Sequence, residues 1–453
     1  MALPPPAFET EEKEMLRNHT SSIRLTWLAA PLLAFVALAA VLSMANRTPE
    51  LGAPVSGDET GAKPGDTAAL IATLRDSVRA NPDDAQAAVA LGDAHYQRSR
   101  ETGDGRNYAR AERAYEGALA AEADNVAAIS GLATLALARH QFADGFELAR
   151  RAHRAEPGLV APYAALVDGL IETGRYGGAA RKLDRMLRLK PTLAAYSRVS
   201  YYRELHGDLP GAARALDAAV SAGSGTIEGA AYIRSLEADL AAVRGRYAAA
   251  EHGYRSALSI DPAYGRAITG LALLQAGRGE LAPAIETLRE QLGDAPSPDA
   301  LTQPGEVEQA AGRLATARRH YAEASALEKD GLREGAGYDA GVTLNEAEHG
   351  DPATAVAYGR RAWRSAPSVS SADAYSWALY RAGRIDAATR LSAEAMRLGS
   401  RDPEFLYHAG MIAKAAGSDA RARRMLSSLL EQAPRFNPLY APRAERALKG
   451  LSG

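Results

Sequence analysis

The stretch YRELHGDLPGAARAL, residues 202–216, contains Gly207 and, five residues later, Ala212. The same glycine and alanine recur along the chain at nearly constant spacing, and two earlier alanine slots lack the glycine. The pairs are Gly174 with Ala179, Gly207 with Ala212, Gly245 with Ala250, Gly279 with Ala284, Gly312 with Ala317, Gly350 with Ala355, Gly383 with Ala388 and Gly417 with Ala422, and the slots without the glycine are Ala111 and Gly145. Self-similarity at a period of roughly 20–50 residues predicts an array of small units that pack on their neighbours.

The residues around this pair predict two packed helices joined by a tight turn. The glycine ends the first helix, because it adopts the left-handed backbone of a helix C-terminus without steric cost. The small alanine lets the second helix approach the first, a large side chain four residues later fills the gap, and a proline stops the second helix. The large side chains are Tyr115, Leu183, Leu216, Tyr254, Leu288, Tyr321 and Leu426, and the prolines are Pro157, Pro191, Pro262, Pro296, Pro367 and Pro434.

This combination resembles the ending of the tetratricopeptide repeat, a helix–turn–helix unit of about 34 residues. The resemblance extends over residues 67–451, about ten units, with a final amphipathic stretch at 438–451 that is expected to cap the array. It implies an all-α, right-handed helical-repeat solenoid whose first helices line a concave surface. Two places depart from the pattern: Pro304 falls inside an expected first helix, and ETGDGRN, residues 101–107, resembles an insertion.

Two steps of the repeat are longer than the others. Ala212 to Ala250 and Ala317 to Ala355 each span 38 residues, and the extra residues fall near 221–229 and 327–335. We interpret this as an ancestral three-unit block with a longer loop at each junction. Two unrelated insertions are the alternative.

The quoted stretch also contains Glu204, His206 and Asp208, which could form a metal site or an acid–base pair. The repeat favours a structural interpretation, in which His206 precedes the turn and Asp208 is the N-cap of the next helix. HGDP at 349–352 repeats the arrangement with Asp351 as the N-cap, and in both places a proline follows in the first turn, where it is tolerated. An enzyme that uses Glu204, His206 and Asp208 is the alternative from another class.

The composition excludes several kinds of chemistry. The chain of 453 residues has no cysteine, so disulfides, thiol catalysis and cysteine-based zinc sites are excluded. Its net charge of −2 offers no electrostatic attraction for nucleic acid. Neither a G-x-x-x-x-G-K-[ST] phosphate loop nor an H-E-x-x-H zinc motif occurs. We therefore expect no cofactor, no metal and no nucleic-acid partner.

A stretch near the N-terminus predicts a membrane anchor. Leu25 to Ala45, LTWLAAPLLAFVALAAVLSMA, carries no charge, and it is long enough to cross roughly 30 Å of hydrocarbon as a helix. It separates an N-terminal tail, 1–24, from a polar linker rich in glycine and proline, 46–66. The flanking basic residues favour a cytoplasmic N-terminus and an extracytoplasmic solenoid. The alternative is a signal peptide cleaved after Ala45, which would release a secreted or periplasm-like binding protein.

The concave surface is the expected binding surface. The resemblance implies that four positions of each first helix face it, and counting from the turn glycine places five large side chains there: Tyr201, Trp377, Tyr380, Tyr407 and Met411. Such a strip binds peptides or helices through apolar anchors, whereas the alternative is that these side chains fill gaps between helices. We predict a membrane-anchored protein-interaction scaffold, not an enzyme, that binds a protein or peptide partner on its concave face.

Overall fold

The computed structural model describes residues 67–102, 104–224, 226–292 and 297–451. The predicted tail at 1–24, transmembrane helix at 25–45 and linker at 46–66 lie outside the described residues. Within the described ranges, no helix is both long and apolar enough to cross a bilayer.

The described ranges form 22 α-helices and contain no strand. After α1 (Thr67–Ala80), twenty helices form ten hairpins, which we number 1 to 10, and α22 (Tyr440–Lys449) follows the last of them. Hairpins 1 to 5 are α2 (Ala85–Thr102) with α3 (Arg106–Ala121), α4 (Val126–Ala138) with α5 (Phe142–Ala155), α6 (Ala161–Glu172) with α7 (Tyr176–Leu189), α8 (Leu193–Leu205) with α9 (Leu209–Ala222), and α10 (Ile227–Val243) with α11 (Tyr247–Ile260). Hairpins 6 to 10 are α12 (Gly265–Gly277) with α13 (Leu281–Gln291), α14 (Pro298–Ala310) with α15 (Leu314–Arg333), α16 (Ala340–His349) with α17 (Pro352–Ser365), α18 (Val369–Arg381) with α19 (Ile385–Ala395), and α20 (Pro403–Ala415) with α21 (Asp419–Gln432).

The turns inside the hairpins confirm the predicted role of glycine, with two exceptions. Seven of the eight predicted turn glycines have left-handed backbones with φ between 69° and 85°. Gly350 does not (φ −113°), because the Glu346 carboxylate accepts the backbone N–H of Asp351 at 3.0 Å and satisfies the turn in another way. In hairpin 2, His140 takes the glycine slot with φ 60°, a conformation that histidine tolerates better than most residues.

The alanine slots lie where the two helices of a hairpin approach each other. Ala179, Ala212, Ala250 and the equivalent alanines of the other hairpins are at most 1% exposed. The gap-filling side chains from Tyr115 to Leu426 are buried as well. The predicted packing is therefore confirmed, and small and large buried residues form a series of clusters between the helices.

Asp208 and Asp351 are N-caps, as predicted. Asp208 Oδ1 accepts the backbone N–H of Gly211 at 2.9 Å, and Asp351 Oδ2 accepts that of Thr354 at 2.7 Å. Both helices have a proline in the first two positions. These carboxylates start helices by satisfying backbone donors that have no partner within the helix.

Three places depart from the repeat pattern. Pro304 lies inside α14 without ending it, and buried Leu301 and Val307 hold the helix on either side of the proline. Of the residues interpreted as an insertion at 101–107, residues 101 and 102 lengthen α2. The extra residues at 327–335 mostly extend α15, which reaches Arg333. The connection between α13, which ends at Gln291, and α14, which begins at Pro298, is as long as the one between Arg333 and Ala340. Because it lies outside the two predicted junctions, the length of the connections gives no support to a three-unit block.

The hairpins stack into a superhelix whose successive turns touch. The backbone N–H of Val369, the first residue of hairpin 9, donates to Tyr176 Oη of hairpin 3 at 2.7 Å. The N–H of Arg435, before α22, donates to Tyr247 Oη of hairpin 5 at 2.8 Å. The first contact joins hairpins 3 and 9, and the second joins hairpin 5 to the segment that follows hairpin 10. The superhelix therefore encloses a central space, which we call the lumen, lined by the first helices of the hairpins.

Candidate functional site

Four of the five predicted binding residues border one cavity in the lumen. Trp377 and Tyr380 lie on α18, Tyr407 and Met411 lie on α20, and the cavity between them has a volume of about 360 Å³. Residues three or four positions apart share a helix face, and the first helices of successive hairpins are neighbours. The repeat register thus brings these side chains together.

The rings of this group pack closely on one another. The Trp377 ring stacks on Tyr380 with centroids 4.7 Å apart and meets Tyr407 at 5.6 Å. Trp377 and Tyr407 are each 2% exposed, so they mainly fill the space between helices. Tyr380 and Met411 are half-buried and border the cavity. That any of the four contacts a partner stays a prediction.

A buried ion pair packs against the Trp377 ring. His408 Nδ1 lies 2.7 Å from Asp373 Oδ2, and both side chains are 4% exposed. Burial alone lowers the pKa of His408, but the neighbouring Asp373 carboxylate outweighs it and the pKa is raised. The imidazole stacks on the Trp377 ring at 4.2 Å. The pair therefore fixes the orientation of the indole.

The C-terminal helix closes one side of the cavity. The Tyr440 ring stacks on Tyr407 at 5.2 Å, and its hydroxyl donates to Glu306 Oε1 at 3.1 Å. Asn437 Nδ2 donates to the other oxygen of Glu306 at 3.1 Å. Glu306 belongs to α14 of hairpin 7, so this segment spans the lumen as well as covering hairpin 10.

Tyr201, the fifth predicted residue, lies apart from the other four. It is on α8 of hairpin 4, is 40% exposed and does not border the 360 Å³ cavity. Its hydroxyl donates to Glu172 Oε1 of hairpin 3 at 3.3 Å. Tyr201 is therefore the most accessible of the predicted side chains.

A second and larger cavity, which the aromatic pattern did not predict, lies in the lumen of hairpins 1 to 5. Its volume is about 460 Å³, and it is bordered by aromatic, hydroxyl, amide and charged side chains. They include Tyr96, Gln97, Arg100, Thr134, Phe142, Asp168, Glu172, Ser197, Arg198, Thr226, Glu228 and Tyr232. The cavity offers both donors and acceptors next to apolar rings.

The arginines of the lumen are paired. Arg198 donates twice to the Asp168 carboxylate, at 2.8 and 2.7 Å, and Arg100 donates to Glu228 Oε1 at 2.8 Å. Asp168 and Arg198 are 30 residues apart, nearly one repeat. A search for opposite charges on consecutive first helices could have found this pair from the sequence. The Arg100–Glu228 pair joins hairpins 1 and 5 across the lumen, which no local pattern reveals.

Three lumenal carboxyl groups hold their protons unusually tightly. Burial raises the pKa of Glu172 to about 7, and the nearby Asp168 adds to the effect. Burial likewise raises the pKa of Glu204 to about 7, against the hydrogen bond from Ser200. Glu306 also has its pKa raised to about 7 by burial. The charge of the lumen therefore changes near neutral pH.

Glu204, His206 and Asp208 do not converge on one point. Ser200 donates to Glu204 Oε1 at 2.9 Å, and His206 Nδ1 lies 2.7 Å from the carbonyl of Tyr202. Asp208 caps α9. Among the described residues, no group of three histidine or acidic side chains could hold a metal ion. The three side chains act separately in the helix end, the turn and the next helix.

The described residues form a solenoid of stacked helical hairpins, the architecture that the resemblance to the tetratricopeptide repeat implies. No protein-family model matches the chain, and no curated protein matches it either. Among solved structures, the chain is similar to a human IFIT1 dimer with m7Gppp-AAAA, with 16% identity over 73% of this chain and 76% of that chain and a TM-score of 0.47. It is also similar to a tetratricopeptide repeat protein from Parabacteroides merdae, with 16% identity over 52% of this chain and 93% of that chain and a TM-score of 0.39. For yeast Tom70 the identity is 13% over 81% of this chain and 96% of that chain, and the TM-score is 0.34. The predicted resemblance to tetratricopeptide repeat proteins is confirmed at the level of the fold.

Proposed function

We propose that this protein is a membrane-anchored scaffold that binds a protein or peptide partner on the inner surface of its solenoid. The observation that carries the proposal is the lumen, where two cavities combine aromatic rings with hydrogen-bonding side chains. Surfaces that bind peptides need apolar anchors beside a few fixed polar groups. The binding is by a preformed surface and involves no bond chemistry.

A protein partner suits the lumen better than a nucleic acid does. Binding to phosphates depends on cations that are free to replace counterions. Arg100 and Arg198 are already engaged by carboxylates, and a further carboxyl group, Glu172, borders the same cavity.

The proposal of a membrane anchor is based on the uncharged stretch from Leu25 to Ala45. We propose a cytoplasmic N-terminus, with the linker 46–66 holding the solenoid on the other side. Fractionation tests this: the full chain sediments with membranes, and a variant lacking 25–45 does not. A mature chain that begins at Asn46 would show instead that the stretch is a cleaved signal peptide.

Photo-crosslinking in intact cells tests the binding surface. A photoreactive amino acid replaces Tyr201 or Met411 in the lumen, and Arg424, exposed on α21, is the control. We expect one discrete crosslinked protein from the lumenal positions and none from position 424, with mass spectrometry identifying the product. Equal or absent labelling at all three positions contradicts binding in the lumen.

A further inference from the structure

The outer wall of the superhelix carries its charge unevenly. The first helices of the hairpins line the lumen, so the second helices form this wall. With histidine neutral, α7 carries four basic residues and one carboxylate, and α17 carries three arginines and no acidic residue. Each of the other eight second helices has a net charge between −1 and +1. Because the whole chain has a net charge of −2, positive charge is concentrated on two helices of the wall.

The contact between superhelical turns places these two helices next to each other. The C-terminal end of α17 leads into Val369, whose backbone N–H donates to the hydroxyl of Tyr176, the first residue of α7, at 2.7 Å. A Cβ atom added to Gly174 would lie 2.3 Å from the carbonyl oxygen of Pro367. The end of α17 therefore lies beside the start of α7, although the two helices belong to hairpins 8 and 3.

The exposed arginines of these two helices form one stripe. Residues three or four positions apart share a helix face, and the arginines of each helix follow this spacing. Within the described residues none of them forms an ion pair with a carboxylate, and the Arg361 guanidinium lies over the Tyr338 ring, 4.7 Å from its centroid. We call them the basic stripe, which consists of Arg181, Arg185 and Arg188 on α7 and Arg360, Arg361 and Arg364 on α17.

The basic stripe is complementary to an anionic surface. Guanidinium groups on one surface repel one another, and phosphate groups relieve this repulsion because a guanidinium donates two parallel hydrogen bonds to phosphate oxygens. Clusters of basic residues beside a membrane are attracted to anionic headgroups. The proposed linker at 46–66 reaches at most about 70 Å, and hairpin 3 is the third unit from the anchored end. The membrane is therefore the polyanion that the stripe meets at the highest local concentration.

We propose that the basic stripe docks on anionic phospholipid headgroups of the membrane that anchors the chain. This goes beyond the proposed function and rests on its membrane anchor. The stripe crosses from one superhelical turn to the next, so a flat surface that touches both helices runs along the superhelix axis. The side wall of the solenoid, and not one of its ends, therefore faces the membrane.

The absence of cysteine allows a direct test on the full chain in lipid nanodiscs. Ala357→Cys places a fluorescent donor on the exposed face of α17, and Ala282→Cys places it on α13, a helix with a net negative charge. Discs of phosphatidylcholine are compared with discs that contain about one third phosphatidylglycerol, each with an acceptor dye on the headgroups. We expect energy transfer from position 357 to rise about twofold with the anionic lipid and to fall back in about 0.5 M NaCl, because salt screens exposed charges. Energy transfer from position 282 does not rise.

Two charge-removal variants test whether the stripe causes this difference. The stripe variant combines Arg181→Gln, Arg185→Gln and Arg188→Gln. The matched control combines Arg255→Gln, Arg289→Gln and Arg318→Gln, at exposed positions of α11, α13 and α15. Both variants lose three positive charges, and circular dichroism verifies that both keep the fold. We expect the stripe variant to lose the rise in energy transfer at position 357 and the control to keep it.

The outcomes separate the stripe from the anchor. Co-elution of the chain with neutral discs reports the anchor alone. If the chain does not co-elute, the anchor fails, and co-sedimentation with phosphatidylglycerol vesicles but not with phosphatidylcholine vesicles still tests the stripe. An equal response to neutral and anionic lipid, in discs or vesicles, overturns the proposal, as does an equal loss in the two charge-removal variants. Binding of a duplex RNA that is lost in the stripe variant, with no response to anionic lipid, would show that the stripe faces nucleic acid instead.

Discussion

Replacing Gly207 by alanine tests the contact between superhelical turns. The backbone there is left-handed, with φ 71°, and a Cβ atom in that conformation costs roughly 1–2 kcal/mol. The new methyl group would also lie 2.3 Å from the carbonyl oxygen of Gly399, inside the 3.0 Å that real Cβ atoms respect. Because overpacking of this kind adds about 1–3 kcal/mol, we expect Gly207→Ala to lower the free energy of unfolding by about 2–5 kcal/mol.

Gly312→Ala is the matched control. Its backbone is equally left-handed, with φ 78°, but no atom lies within 4 Å of the added Cβ, so only the backbone cost of about 1–2 kcal/mol applies. Urea unfolding followed by circular dichroism compares the two variants with the parent chain. The difference between them isolates the inter-turn contact from the cost of the turn itself. If both variants lose the same stability, the turns do not touch in solution and the reasoning fails.

Three further predictions concern the hairpins and the lumen. Ala212 is fully buried between helices, so Ala212→Leu should lower the free energy of unfolding by about 1–3 kcal/mol in a urea titration. Ala282→Leu, at an exposed position of α13, should change the free energy of unfolding by less than about 0.5 kcal/mol. Asp351→Ala removes an N-cap and should cost about 1 kcal/mol by thermal or urea unfolding; no loss would show that the cap is dispensable. Burial raises the pKa of Glu306 from its ordinary value of 4.5 to about 7, so the folded state holds a proton that the unfolded state has lost, and stability falls as pH rises from 4.5 through 7. Glu306→Gln should weaken that fall when urea midpoints at pH 5 and pH 8 are compared, and an unchanged pH dependence would contradict the assignment.

The hairpins were predictable because their causes are local. A left-handed turn favours glycine, a close helix crossing favours alanine, and a capping side chain such as Asp208 stabilises a helix start. These preferences recur in most units, so the pattern emerges from the sequence alone. The left-handed backbone predicted for Gly350 was wrong because a neighbouring side chain, Glu346, accepts a backbone N–H of that turn.

The lumen was only partly predictable because it depends on the pitch of the superhelix. The register placed Trp377, Tyr380, Tyr407 and Met411 on one surface, and these residues do share a cavity. It left open whether these side chains fill gaps between helices, as Trp377 and Tyr407 mainly do. The Tyr407 ring stacks on Tyr440 of the C-terminal helix, a contact that the register of one repeat does not encode. Contacts such as Val369 with Tyr176 join residues 193 apart in the chain. No periodicity within one repeat encodes them.

The contacts between successive turns of the superhelix also limit how many units the protein can have. An open solenoid can gain or lose one repeat and sacrifice a single neighbour contact. Here, one extra hairpin between hairpins 5 and 9 would shift the facing segments by one place, and both Tyr176 and Tyr247 would lose their partners together. Duplication and deletion of repeats, the usual route by which such arrays change length in evolution, are therefore expected to be tolerated before hairpin 2 and not within hairpins 2 to 10.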